Sequence, residues 1–247
     1  MNYLQRIIGH FETHSAEGIR ECFKNDVNPN QWYKEKPLIY ELINMYLRSE
    51  RLKDCVQAFV DFGLQFEDKA LLAVLLDDPV QLNLLLSRDK DILVQKYNFD
   101  CAFTPLYEAS LLHICAEYNH LHCATTLVEH GMDVNIKAGK DDHGFGAQTP
   151  IFHTVNQHAN RGIDTMQLLI SKGADLSVTV KGLIWGKGYK WETFIPSVNP
   201  ISYAMMGLLR QFQRTEVQIY ETIATLLQAR YGISYFPENV PNEYLKN

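Results

Sequence analysis

The chain has 247 residues, 46% of them hydrophobic and 21% charged, enough apolar material for a real core and too much for a disordered chain. Its formal net charge of −6 lacks the basic surplus that phosphate binding demands, so no nucleic-acid partner is expected. Five cysteines without Cys-x-x-Cys spacing read as free thiols, and no apolar run reaches the length of a membrane span. The start, Met1-Asn2-Tyr3-Leu4-Gln5-Arg6, lacks a basic opening followed by an apolar run, so no signal peptide is expected. A cytoplasmic monomer without cofactor or membrane contact is the expectation.

In chain order, six units of similar design can be placed. Residues 17–24, followed by Asn25-Asp26-Val27-Asn28, read as the back half of a first helix pair. Pro37-Leu38-Ile39-Tyr40 opens a second, which closes near Asp61-Phe62-Gly63. Lys69-Ala70-Leu71-Leu72 opens a third. Its turn, Asp77-Asp78-Pro79, is a cap followed by a first-turn proline, and its second helix carries Leu82, Leu85 and Leu86.

The fourth unit is the clearest. Ser110-Leu111-Leu112-His113-Ile114-Cys115-Ala116 begins a short helix capped by a hydroxyl. After Asn119-His120, a second helix places Leu121, Ala124, Leu127 and Val128 on one face and stops at Gly131, where a left-handed closing residue is needed. Met132-Asp133-Val134-Asn135 follows. The fifth unit opens with Thr149-Pro150-Ile151-Phe152-His153 and ends its second helix at Lys172-Gly173-Ala174-Asp175-Leu176. The sixth opens at Asn199-Pro200-Ile201 and closes at Tyr231-Gly232. A helix pair this small cannot bury its own apolar face, so each needs stacked neighbours.

The pattern Thr-Pro-Leu-His-x-Ala, then a leucine-rich helix, then Gly-Ala-Asp-Val-Asn, is that of the ankyrin repeat. Residues 110–135 and 149–176 resemble it closely, and the outer units resemble it more loosely. The resemblance implies an all-α ankyrin-repeat solenoid of about six helix pairs, with repeats near 1–36, 37–68, 69–109, 110–148, 149–198 and 199–236 and a tail at 237–247. It implies a non-catalytic module that binds another protein through hairpin tips and inner helices. It also gives His113 the family histidine's role of joining adjacent repeats by hydrogen bonds, while His153 falls one place off that position. The expected core is Leu82, Leu85, Leu127, Leu168, Leu169 and Leu226.

Two connections exceed the family's short loops. Residues 136–148 are polar, with three glycines and one exposed-looking aromatic, Phe145. Residues 177–198 have strand chemistry, with Val180, Trp185, Tyr189, Trp191 and Phe194 around Gly186-Lys187-Gly188, and predict an extended β-hairpin. Large aromatics on loops of a rigid scaffold are common recognition anchors. Phe145, Trp185, Lys187, Tyr189 and Trp191 are therefore the candidate partner-binding residues. For Trp185, Tyr189 and Trp191, packing on a neighbouring repeat is the alternative. Lys181, Lys187 and Lys190 among these aromatics form a pattern that can bind nucleic acid and equally suits an acidic protein partner, but a solvated hairpin is the favoured reading.

Other chemistries fit less well. Gly182 to Gly188 is one residue too short for a phosphate-binding loop and lacks its hydroxyl. His113, Cys115, His120, His122, Cys123 and His130 crowd one repeat, but their spacing does not converge on one point, and no metal is expected. No nucleophile elbow or metalloprotease helix is present, so no catalytic residues are expected. A structural assembly element, or an enzyme or small-ligand protein using the long loops as a lid, are the alternative functions.

Overall fold

Several helix starts are written in their capping residues. In a computed structural model that describes residues 2–208 and 214–236, Asn2 caps α1 (Tyr3–Glu12) and Ser15 caps α2 (Ala16–Lys24). A short α3 (Ile39–Ile43) precedes α4 (Leu52–Asp61). Asp68 caps α5 (Lys69–Leu75), and Asp78, ahead of Pro79, caps α6 (Pro79–Arg88) through the amides of Val80 and Gln81. These side-chain acceptors satisfy amides that a helix N-terminus leaves free.

Then come α7 (Leu111–Tyr118) and α8 (Leu121–Glu129), a 3-10 turn at Pro150–His153 followed by α9 (Ile163–Ser171), and α10 (Pro200–Ala204) with α11 (Glu216–Tyr231). Helices pack on their sequence neighbours and on their equivalents in the next pair: α1 on α3, α2 on α4, α5 on α7, α6 on α8, α8 on α9. The core runs along these contacts. Leu82, Leu127, Leu169 and Leu226 are fully buried within it, whereas Leu85 and Leu168 are half-buried at its edge. Gly131 (φ +93°) closes α8 in the left-handed region that a side chain rarely adopts.

The helical repeat carries more strand than the one or two hairpin insertions expected. Among the described residues, three antiparallel strand pairs interrupt the helices: β1 (Trp32–Tyr33) with β2 (Lys36–Pro37), β3 (Tyr97–Phe99) with β4 (Leu106–Ala109), and β5 (Val180–Trp185) with β6 (Thr193–Val198). The third is the expected hairpin; the first two were not foreseen. The fifth unit also departs from expectation, because its first helix is a single 3-10 turn. After His153 the chain continues Thr154-Val155-Asn156, two β-branched residues and a backbone competitor that propagate a helix poorly. The expected tail at 237–247 lies outside the described residues.

Candidate functional site

The three hairpins and the loop 136–148 share one side of the molecule. The loop is stitched between two of them. Gly139 N–H donates to Tyr107 O on β4 (2.9 Å), and Gly146 N–H donates to Gly182 O on β5 (2.9 Å). Gly139 is required for this approach, since a Cβ there would lie 2.8 Å from the Tyr107 ring and nearer still to Glu108. Asp141 holds the loop's turn, its Oδ1 accepting from the amides of His143 and Phe145 (both 3.0 Å). Gly186 N–H reaches Ala102 O (2.8 Å) and anchors the third hairpin to the second.

Together these segments enclose an open groove of about 800 Å³. Its lining includes Lys36 of β2, Phe99, Asp100 and Tyr107 of the second hairpin, Asp141, Asp142 and Phe145 of the loop, and Lys187 and Tyr189 of the third hairpin. Two ion pairs span the rim: Lys36–Asp100 (2.8 Å) and Lys187–Asp141 (3.7 Å).

The five candidate residues divide between groove and core. Lys187 and Tyr189 line the groove and are exposed, Tyr189 by 58%. Trp191 is 46% exposed and stacks on Tyr189 (5.5 Å, 23° between planes). Its ring lies over Gly186, where a Cβ would come within 2.5 Å of it. Phe145 lines the groove but is not a free tip: it is half-buried against Phe194 (4.7 Å), with the Lys181 ammonium over its ring (5.3 Å). Trp185 is only 2% exposed. Its Nε1–H donates to the Tyr203 hydroxyl (2.7 Å), and its ring meets Phe103 edge-on (5.8 Å). Trp185 thus takes the packing role and roots the hairpin in α10.

Sequence reading missed several exposed aromatics on this side. Trp32 on β1 is 69% exposed and Tyr107 on β4 is 48% exposed. The alternation of Tyr97, Phe99 and Tyr107 around Pro105 was the available signal. No short glycine turn marked it as a hairpin.

Beneath the hairpin face lies a buried charged cluster. Glu117 on α7 accepts from Arg48 Nε (2.6 Å) and from His153 Nδ1 (2.7 Å), and the Cys101 thiol lies 3.6 Å from Glu117 Oε1. Burial alone would raise the Glu117 carboxyl, but the Arg48 guanidinium and the His153 hydrogen bond outweigh it and hold the group at about 2. Burial and the Glu117 carboxylate push the Cys101 thiol up to about 11, the opposite of nucleophile activation. This cluster ties four units together rather than presenting a reactive atom. No group of three or more metal-ligating side chains converges among the described residues, and no described helix is long and apolar enough to cross a membrane.

The His113 imidazole ties the start of α7 to the end of the loop 136–148. Ser110 N–H and Oγ meet Nδ1 (3.2 and 2.9 Å), which makes Nδ1 the acceptor, so Nε2–H donates to Gln148 O (3.0 Å), the last residue before the fifth unit opens. Burial holds this imidazole well below its ordinary range.

No curated protein matches the chain. Residues 103–138, which hold β4, α7, α8 and the start of the loop, match the family model for the ankyrin repeat. Motif, capping histidine, glycine stop and family match coincide in that segment, which is an ankyrin repeat.

Proposed function

We propose that this protein is a non-catalytic recognition module that binds another protein in the groove between its hairpins. Ankyrin repeats generally mediate protein–protein interaction. The observation that supports the placement is the set of exposed aromatics on the hairpins, Trp32, Tyr107, Tyr189, Trp191 and Phe194, of which Tyr107 and Tyr189 line the groove. Exposed aromatic clusters on rigid scaffolds are typical of interface hot spots. Lys187 and Phe145 complete the contact set, and Trp185 supports it from below. In this reading the helices form a solenoid of six repeats spanning 1–36, 37–68, 69–109, 110–148, 149–198 and 199–236. It acts as a monomer in the cytoplasm.

Affinity capture from lysate of the source organism, comparing wild type with Tyr189→Ala/Trp191→Ala, tests this. One partner held by wild type and lost by a variant of unchanged melting temperature is the expected result. A partner retained by both moves the site to the inner helices. Sedimentation separates the assembly alternative, which requires a self-associated species instead of a monomer.

A further inference from the structure

We infer that the groove receives an extended segment of the partner anchored by an arginine side chain, an inference that rests on the recognition role proposed above. The lysines at first suggested an acidic partner. Two of the three are engaged within the chain. Lys187 meets Asp141, and Lys181 donates to His143 O (3.0 Å) while covering Phe145. Lys36, across the groove, meets Asp100. Asp142 also lines the groove, is exposed, and has no ion pair among the described residues. Among the side chains that line the groove the charge left over is therefore negative, while Lys190, beside it on the hairpin, is exposed and has no ion pair among the described residues.

A second observation points the same way. Gln148 also lines the groove and is 1% exposed. Its Nε2 donates to Pro105 O, which assigns the other amide atom as the oxygen. That Oε1 is buried without a hydrogen-bond partner among the described residues. An unsatisfied buried acceptor carries a free-energy cost that an incoming donor relieves.

The aromatic wall completes the match. Tyr107 and Tyr189 are exposed rings lining the groove, and a guanidinium stacks on such rings while its five N–H groups reach separate acceptors. A compact metal ion would need its ligands to converge, and they do not. The net charge of −6 favours approach of a basic segment at low salt.

A random 12-residue peptide library displayed on phage and panned on the full chain tests this. Enriched peptides are synthesised and titrated by fluorescence anisotropy against wild type, Asp142→Asn and Tyr189→Ala, with melting temperatures checked. The expected winners are enriched in arginine. Asp142→Asn then weakens them about three- to tenfold, and raised salt weakens them further. Winners that lack arginine, bind Asp142→Asn like wild type and yet lose affinity to Tyr189→Ala overturn the arginine anchor while leaving the groove as the site. Winners indifferent to both substitutions overturn the groove as well. A library that yields no binder overturns the peptide inference alone, since capture of a folded partner is measured independently.

Discussion

Residues 110–135 and 149–176 carry nearly the same motif, yet the structure treats their openings differently. In the first, the third residue after the capping hydroxyl is His113, and Ser110 and His113 satisfy one another. In the second, that place is Phe152, whose ring packs 5.9 Å from Tyr203. Thr149 Oγ1 is left buried without a hydrogen-bond partner among the described residues. His153, one place later, turns instead to Glu117. A one-residue displacement of histidine thus exchanges a local cap for a link between units. The helix that the cap would have started shrinks to one 3-10 turn.

The comparison can be broken most forcefully at Glu117. Glu117→Gln leaves Arg48 buried without its counter-charge, and urea unfolding should show a loss of about 3–5 kcal/mol. A loss under ~1 kcal/mol would mean that the link through His153 carries little. Next, Leu127→Ala removes a fully buried side chain and should cost about 2–5 kcal/mol, while Leu168→Ala, half-buried in the fifth unit, should cost roughly 1–2 kcal/mol. Equal losses would erase the distinction between a fully buried and a half-buried leucine.

Acid sharpens the picture. His14 is buried with its Nδ1 2.7 Å from Ser49 Oγ; burial, then the guanidinium groups of Arg48, Arg51 and Arg161, hold it at about 4, below its ordinary 6.5. The unfolded chain therefore binds this proton first. Stability from His14 is complete above about pH 6.5 and is lost as pH falls toward 4, by roughly 3 kcal/mol. Glu117 adds a further loss that begins below about 4.5 and continues toward 2. In a His14→Gln variant that still folds, the step between pH 6.5 and 4 should shrink. An unchanged step would assign it to other groups.

The smallest effects separate the two caps. Ser110→Ala should cost about 1 kcal/mol, because it removes His113's partner. Thr149→Val removes a hydroxyl with no partner and should be neutral or slightly stabilising, by about 0.5 kcal/mol. Equal costs at both positions would contradict the difference drawn between them.

What the sequence conveyed follows from how local each signal is. Caps such as Asp78-Pro79 and the glycine stop at Gly131 act within a turn or two, and the helices sit where they indicate. The third hairpin was readable for the same reason. Trp185 and Phe145 were not separable from Trp191 and Tyr189, because all are aromatics on loops. Their fates depend on Tyr203, 18 residues beyond Trp185, and on Phe194, which no local pattern ties to Phe145. The groove is longer-range still. Lys36 and Asp100 meet across 64 residues, so the rim exists only once the units stack.

The account's central claim is that recognition belongs to the hairpin face rather than to the helical stack. Amide hydrogen exchange on the complex with the captured partner tests it most directly. The prediction is slowed exchange within 97–109, 139–146 and 185–194, with the outer faces of α4, α6 and α8 unchanged. Protection confined to the helices, with the hairpin amides exchanging as in the free protein, would contradict it.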